Sequence, residues 1–308
     1  MKSVSPRALV AVVGYLLLYA LSLARLAAAP GFEVGETVGV MLVLGLGLSF
    51  AAWLATRAVV PWPSSLRSPA PEVAAIVGYL ALFAVLVLGW GLSAVRETVS
   101  REPLQSAAIL GAKLATMVLV PGWLFTRFGY SWGRLFSMRR FDRVTWRALA
   151  IMAVLLLALQ IVAGRGLQTL SALHLPVWHT LAWAPAALAW MTLEAGITEE
   201  FLFRVLLQTR LAVWLESETA GILSMALLFG LAHAPGYVLR GAHAMEGMGG
   251  PPSVPTALAY AVAVVSPVGI AFGVLLARTR NLLLLVLLHG WADLLPNLAP
   301  FILAWTKG

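Results

Sequence analysis

The chain has 308 residues, of which 61% are hydrophobic and 11% are charged. An ordinary soluble domain carries about a quarter charged residues, so this composition excludes one and predicts an all-α polytopic transmembrane helical bundle. The formal net charge of +8 would suit a nucleic-acid partner, but the basic residues are distributed like topology signals, so we expect no nucleic-acid binding. The absence of cysteine excludes disulfides, thiol nucleophiles and cysteine metal sites.

Nine apolar segments follow one another with short loops between them, and most are near the roughly 20 residues needed to cross a bilayer. They are residues 8–29, 38–55, 73–94, 104–125, 148–163, 177–207, 220–239, 256–277 and 282 to about 303. Pro296 and Pro300 weaken the last segment and favour one span followed by a short broken helix. We therefore expect eight or nine spans.

The first segment also resembles a secretory signal peptide. Lys2 and Arg7 precede it, and it ends in AAAP at residues 27–30, a small-residue stretch like those before cleavage sites. The apolar run is long and contains Arg25, which favours a span that is retained.

Positive charge is distributed unequally between the two sides of the bundle. With a cytoplasmic N-terminus, 14 of the 21 Lys and Arg residues fall on the cytoplasmic side and six on the other, with Lys113 inside a span. Because short cytoplasmic loops carry an excess of Lys and Arg, we expect a multi-pass protein in this orientation. The Ala- and Arg-rich composition favours a bacterial plasma (inner) membrane.

The densest basic segment begins at Arg127 and ends at Arg147, and it mixes six arginines with Phe, Tyr and Trp. Such a mixture suits an amphipathic helix at the cytoplasmic headgroup level, where arginine meets anionic lipid. A solvated cytoplasmic loop is an equally good interpretation of this basic segment.

The most informative stretch is residues 194–210, which read EAGITEEFLFRVLLQTR between two apolar runs. An ionised group near a bilayer centre costs at least a few kcal/mol, so it indicates a partner or a function. Glu200 and Arg204 are four residues apart, so on a helix they share a face and can form an ion pair. Glu199 lies about 100° around the helix, away from that arginine. The pair is equally consistent with a structural role.

Three further polar residues lie within apolar segments. His233 ends the sequence FGLAH, and His289 and Asp293 lie four apart in HGWAD, on one helix face. The presumed cytoplasmic helix ends are Arg210, Ala220 and Leu282. Counted from these ends, Glu199, His233 and His289 lie roughly 16, 20 and 10 Å deep at 1.5 Å per residue. Three helices can therefore form one site, which we expect in the inner half of the bilayer.

These side chains indicate hydrolysis without a covalent intermediate. A carboxylate kept away from water among apolar helices is a stronger base, and a nearby imidazole can relay its proton. No serine or lysine stands out as a nucleophile, and an imidazole such as His289 can stabilise a tetrahedral oxyanion. The expected reaction is cleavage of a peptide bond within the bilayer, although amide hydrolysis in general has the same requirements.

Three motifs, in order, resemble those of one known family. Residues 199–204 (EEFLFR) look like its EExxxR motif, residues 229–233 (FGLAH) like FxxxH, and residues 289–293 (HGWAD) like HxxxN/D. On these motifs the chain resembles the CAAX protease and bacteriocin-processing (CPBP, or abortive infection) intramembrane proteases. The positions singled out, which we call the motif residues, are Glu199, Glu200, Arg204, His233, His289 and Asp293.

The resemblance covers roughly residues 148–300 and implies a division of the chain. Residues 1–147 would form N-terminal transmembrane helices and the cytoplasmic basic segment, and residues 148–308 a CPBP-like catalytic core. The implied substrate is a membrane protein or a lipidated peptide. The family resemblance also implies a glutamate mechanism that uses no metal and no cofactor.

The resemblance also implies a role for each motif residue of the first two motifs. Glu199 and His233 would activate water, whereas Glu200 and Arg204 would support the site.

In the third motif, His289 and Asp293 would form the oxyanion hole. The prenyl-protein endoproteases of the family carry Asn, a neutral donor, where this chain has Asp293, and Asp donates a hydrogen bond only when protonated. The alternative role of Asp293 is to orient His289.

Three alternatives stay open at this stage. Two carboxylates and two imidazoles would also make a zinc shell, although the sequence has no HExxH motif. Intramembrane Glu, His and Arg also serve as proton relays in carriers, against which the lack of an internal inverted repeat speaks weakly. A non-catalytic scaffold on the same fold has no need to retain all six motif residues.

Overall fold

The computed structural model describes residues 5–59, 69–136, 141–240, 245 and 252–306. Within these ranges the chain is helical and contains no strand, which confirms the predicted all-α class. Eight helices of the described residues are long and apolar enough to cross a membrane. The protein is therefore an integral, multi-pass membrane protein built as a helical bundle.

We number the long helices of the described residues in chain order. They are α1 (Pro6–Ala27), α2 (Val34–Ala55), α3 (Pro69–Thr98), α4 (Leu104–Thr126), α5 (Arg143–Val162), α6 (177–214), α7 (Glu218–Arg240), α8 (Val254–Thr279) and α9 (Leu282–Thr306). Two short helices, Trp132–Leu135 and Gly166–Ser171, precede α5 and α6 respectively.

Helix α6 is not among the eight candidate spans. It contains the predicted span 177–207 and continues without a break to residue 214. Its four charged residues before Gln208, three of which are glutamates, lower its hydropathy below that of the other long helices. The described residues therefore contain eight apolar candidate spans and one long helix of mixed polarity, which carries the first motif.

Helix α9 runs through Pro296 and Pro300 instead of ending at them. The expectation of a span followed by a short broken helix is therefore wrong. Each proline lacks a backbone donor, but membrane helices tolerate this because neighbouring groups and small local adjustments satisfy the freed carbonyl.

The basic segment is not a single helix in the described residues. Gly129 adopts a left-handed backbone with a φ of 83°, which glycine tolerates at little cost and which interrupts the helix after α4. Only Trp132–Leu135 is helical before α5 begins, and residues 137–140 lie outside the described ranges. In the described residues, a turn and one short helix therefore stand where either an amphipathic helix or a solvated loop was expected.

Helix α8 lies at the centre of the bundle, whereas α1 lies at its edge. The most apolar window of α8 is 72% buried and that of α1 is 17% buried. Small residues let α8 pack closely on α7: a Cβ on Gly269 would lie 3.3 Å from the Cα of Ala226, and one on Gly230 would lie 2.3 Å from the Ala261 carbonyl oxygen.

Helices α6 and α9 also approach each other closely at two glycines. A Cβ on Gly196 would lie 2.6 Å from the carbonyl oxygen of Val286, and one on Gly290 would lie 2.3 Å from Oγ1 and 2.8 Å from Cα of Thr192. A larger side chain at either glycine would have to move backbone. This contact sets the distance between the motif residues of the two helices.

Candidate active site

Glu200 and Arg204 form the ion pair expected from their spacing. Nε of Arg204 lies 3.3 Å from Oε2 of Glu200, and the two residues are buried, with relative exposures of 1% and 0%. Within the described residues, neither of these atoms has a hydrogen bond of suitable geometry, so the contact is mainly an attraction between charges.

Two aromatic rings cover the guanidinium of Arg204. Its Cζ atom lies 4.8 Å from the ring centre of Phe229 and 5.8 Å from that of Phe272. Phe229 opens the second motif, whereas Phe272 belongs to α8 and was not singled out in the sequence. A cation over an aromatic face is stabilised by the ring quadrupole, so these rings partly replace the water that Arg204 has lost.

His289 connects α9 to both glutamates of α6. Its Nδ1 lies 2.6 Å from Oε1 of Glu200, and because a carboxylate accepts, Nδ1 is the donor. Its Nε2 lies 3.8 Å from Oε2 of Glu199 and 3.6 Å from Oδ2 of Asp293, beyond hydrogen-bond distance in both cases. Glu200 therefore fixes the ring so that Nε2 faces the other two carboxylates.

His233 is oriented by its own helix. Its Nδ1 lies 2.8 Å from the carbonyl oxygen of Phe229, one turn earlier on α7, so Nδ1 is the donor. The His233 ring also packs against the Phe229 ring, with ring centres 4.9 Å apart. The neutral imidazole then carries its lone pair on Nε2, the nitrogen suited to accepting a proton.

A cavity of about 180 Å³ lies between α3, α4, α6 and α7. Its lining residues are Leu88, Leu92, Arg96, Lys113, Met117, Glu199, Phe203, His233 and Gly236. Glu199 and His233 therefore reach the same space from two helices. The carboxylate of Glu199 also interacts electrostatically with His289 and Arg204.

Residues 181–295 match the family model described as type II CAAX prenyl endopeptidase Rce1-like. The matched range begins in α6, ends in α9 and contains all six motif residues. The matched model is one of the CPBP family, the family that the three motifs resemble. The chain is therefore a hydrolase, in general terms a CAAX-type intramembrane endopeptidase. A search of curated proteins and a search of solved structures found no match.

The protease has a second charged pair beside Glu199 that sequence reasoning did not include in the site. Nζ of Lys113, on α4, lies 3.2 Å from Oε1 of Glu194, whose Oε2 accepts a hydrogen bond of 2.6 Å from Nε1 of Trp190. Lys113 also interacts electrostatically with Glu199 and Asp293. An intramembrane lysine was visible in the sequence, but its contact with α6 depends on how the helices pack.

The protease also has a buried ion pair at the other end of α6. Arg210, which the sequence suggested as a cytoplasmic helix end, is only 3% exposed, and its Nε lies 3.1 Å from Oε2 of Glu72 on α3. The hydroxyl of Tyr130 donates to both oxygens of the same carboxylate, at 2.9 and 3.1 Å. The expectation that Arg210 lies at a helix end is therefore wrong, because the helix continues to residue 214 and this part of it is covered by α3 and by the turn after α4.

The described residues contain no group of three or more His, Asp or Glu side chains placed to hold a metal ion.

Proposed function

We propose that the chain cleaves a peptide bond of a membrane-associated protein or peptide, with Glu199 and His233 activating water. The observation that carries this proposal is that both side chains line one cavity, although they belong to different helices. A carboxylate and an imidazole at one water position are the groups that general base catalysis requires. The family match supports an intramembrane endopeptidase in general, and the assignment of these residues is our proposal.

The proposed reaction begins when Glu199 takes a proton from a water molecule, and the oxygen attacks the carbonyl carbon of the scissile bond. The carbonyl electron pair moves to oxygen and gives a tetrahedral oxyanion. When this intermediate collapses, the carbon–nitrogen bond breaks and the nitrogen receives the proton held by Glu199, with His233 as the relay. The products are a carboxylic acid and an amine, which become a carboxylate and an ammonium when the acid proton passes to the amine, and the enzyme returns to its starting charge.

His289 and Asp293 are proposed to act on the oxyanion. When His289 carries a proton on each nitrogen, Nδ1 donates to Glu200 and Nε2 is available as a donor to the developing charge. Asp293, at 3.6 Å from that Nε2, is better placed to orient the ring than to donate itself. We propose that Glu200, paired with Arg204, fixes the orientation of His289 through the Nδ1 side of the ring.

The expected partners and location stay proposals as well. We propose a membrane protein or a lipidated peptide as substrate, no nucleic-acid partner, and a bacterial plasma membrane with the N-terminus in the cytoplasm. We also propose that anionic lipid binds the basic segment. Two observations support this lipid site. Trp132 is 39% exposed, and the guanidinium of Arg127 lies 5.4 Å from the ring of Trp123.

The test compares protein N-termini in membranes of host cells that express the wild type or Glu199→Ala at matched levels. New termini that need the wild type, and that are also lost with His233→Ala, identify both the activity and its substrates. Glu97→Ala, at an exposed position on α3, is the matched control and is expected to behave as the wild type.

Identical termini for all folded variants would instead favour a carrier or a scaffold. The same comparison in the presence of a chelator distinguishes a zinc enzyme from a glutamate enzyme. Removal of a catalytic zinc would abolish cleavage, whereas a glutamate mechanism would be unaffected.

A further inference from the structure

A glutamine of α5 that belongs to none of the three motifs binds the backbone of α9 at two places. Nε2 of Gln160 donates to the carbonyl oxygen of Trp291 at 3.2 Å, and its Oε1 accepts from the backbone N–H of Leu295, also at 3.2 Å. We propose that Gln160 is a positioning residue, which fixes the turn of α9 that carries Asp293. This inference rests on the proposed function and adds a residue to it.

The contacts with α5 lie on the side of α9 opposite the third motif. His289 contacts both glutamates of the first motif on α6, and Asp293 follows it by one turn on the same face. Trp291 is two residues from each of them, or about 200° around the helix. Its Nε1 donates to the carbonyl oxygen of Ala153 on α5, at 2.9 Å. Helix α5 therefore holds α9 through two side chains, Gln160 and Trp291.

The turn that carries Asp293 has a weakened hydrogen-bond ladder. Pro296 has no N–H, so it cannot donate to the carbonyl oxygen of Ala292 four residues earlier. The carbonyl oxygen of Asp293 accepts a hydrogen bond of 2.8 Å from the side-chain amide of Asn297. Side chains therefore supply part of the hydrogen bonding of this turn, and the contact from α5 is one of them.

Gln160 binds both ends of a single helical turn. Leu295 follows Trp291 by four residues, so the two groups that Gln160 binds are the donor and the acceptor that a regular α-helix joins. Nε2 of Gln160 also donates to the carbonyl oxygen of Leu156, 3.2 Å away on α5, which holds the amide in place. An amide offers donors and an acceptor together, whereas an apolar side chain of similar size offers neither. Without Gln160 the turn can close or open, and either change moves Asp293.

The position of Asp293 matters because of its distance from His289. Its Oδ2 lies 3.6 Å from Nε2 of His289, just beyond hydrogen-bond distance. A small shift toward the ring would let the carboxylate occupy Nε2, the donor proposed for the oxyanion, and a shift away would release the ring. Gln160 is not among the residues that line the cavity, so we expect it to affect the rate of cleavage and not substrate binding.

The first test measures hydrogen exchange of the α9 amides by mass spectrometry, on the full-length chain in detergent. Gln160→Met keeps the size of the side chain and removes its hydrogen bonds. We expect residues 290–300 to exchange about tenfold faster in this variant, because the Leu295 N–H loses its contact with α5 and can exchange through local opening. Gln160→Asn, whose amide is too short to reach α9, should behave alike. Unchanged exchange in both variants overturns the proposal.

The matched control is Gln168→Met. Gln168 is an exposed glutamine of the short helix Gly166–Ser171, so its replacement should leave the exchange of α9 as in the wild type. An equal rise in exchange for Gln168→Met and Gln160→Met would show that the effect is not specific to the contact between α5 and α9, and would contradict the proposal.

The second test measures kcat and KM on a peptide that spans a cleavage site found by the N-terminus comparison. We expect Gln160→Met to lower kcat about tenfold per folded molecule with KM unchanged, because small misplacements in an active site slow the reaction strongly. In the Asp293→Ala background the same substitution should lower kcat less than about twofold, because no carboxylate remains to be placed. Equal losses in the two backgrounds would indicate a general structural effect and overturn the positioning role.

The two readouts keep this proposal separate from the proposed function. Faster exchange without any cleavage by the wild type would support the contact between α5 and α9 and refute the proposed function. Faster exchange with unchanged kcat would refute the positioning role of Gln160 and leave the proposed function intact.

Discussion

Helix α6 takes part in two buried ion pairs that have the same composition and differ in their hydrogen bonds. Glu200 with Arg204 lies beside His289, and Arg210 with Glu72 lies toward the end of the helix. In both, an arginine is buried against a carboxylate and under aromatic rings, at 4.8 Å from Phe229 for the first and at 4.5 Å from Phe125 for the second.

The difference lies in how completely the polar atoms are satisfied. The Glu72 carboxylate accepts hydrogen bonds from Arg210 and from Tyr130, and Nη1 of Arg210 also donates to the Val205 carbonyl oxygen at 2.7 Å. In the described residues, Oε2 of Glu200 and two nitrogens of Arg204 have no such hydrogen bond. A network in which every polar atom is hydrogen-bonded makes a fold more rigid, whereas buried polar atoms without a hydrogen bond are typical of functional sites. We therefore interpret the first pair as functional and the second as an anchor.

The largest effect is expected from Glu200→Gln. Removing one member of a buried pair leaves an uncompensated charge, which costs about 3–5 kcal/mol of stability. It also weakens the contact that orients His289, so cleavage should fall by about a hundredfold or more in the folded fraction.

Stability is measured by thermal unfolding in detergent and cleavage by the appearance of new N-termini. Glu218→Gln is the control, because Glu218 pairs with Arg280 from a half-exposed position and its loss should cost less than about 1 kcal/mol. Wild-type cleavage by folded Glu200→Gln would refute the functional interpretation.

Glu72→Gln should show that the two ion pairs have different roles. It removes the charge that compensates Arg210, so we expect a stability loss of about 3 kcal/mol, reduced if the amide oxygen keeps the Tyr130 hydrogen bond. Cleavage per folded molecule should be unchanged, because the hydrogen bonds of Glu72 to Arg210 and Tyr130 do not involve the motif residues. Lost cleavage at wild-type stability would mean that the anchor is part of the site.

Gly290→Ala tests the contact that brings the two motif helices together. The new methyl would lie 2.3 Å from Oγ1 of Thr192, so α9 must shift away from α6. A misplacement of about 1 Å can cost about a hundredfold in rate. Gly111→Ala on α4, which has nothing within 4 Å of its new methyl, should leave cleavage unchanged. Equal behaviour of the two variants would show that the α6–α9 distance is not critical.

Asp293→Asn should have the smallest effect. The carboxylate lies 3.6 Å from Nε2 of His289, too far for a direct hydrogen bond, and Asn can serve as a neutral donor in its place. Cleavage should stay within about tenfold of the wild type, measured on the same substrates. A hundredfold loss would show that the negative charge itself is needed.

Contacts within one helix turn could be predicted from the sequence, and contacts between helices could not. The spacing of Glu200 and Arg204 is fixed by helix geometry, so their ion pair was visible as a pattern. The pair of Glu72 and Arg210 joins positions 138 residues apart and left no local signal. Arg210 was therefore taken for a helix end instead of a buried cation.

The same limit explains the other differences. Hydropathy identified the apolar spans, but it could not show that Gly290 faces Thr192 or that Phe272 covers Arg204, because both depend on the rotation of packed helices. Proline statistics favoured a break in α9 because they describe an isolated helix, whereas the bundle supports the helix through Pro296 and Pro300. The catalytic roles of the motif residues stay predictions.

The length of α6 has a consequence for the membrane around the enzyme. The helix spans residues 177–214 and is roughly 55 Å long at 1.5 Å per residue, whereas the hydrocarbon core of a bilayer is only about 30 Å thick. It must lean, or extend past the lipid, by an amount that depends on local thickness. Because Glu199 lies near the middle of this helix, we expect the tilt of the helix, and with it the position of the candidate active site, to depend on bilayer thickness, so that lipids with longer or shorter acyl chains change the activity.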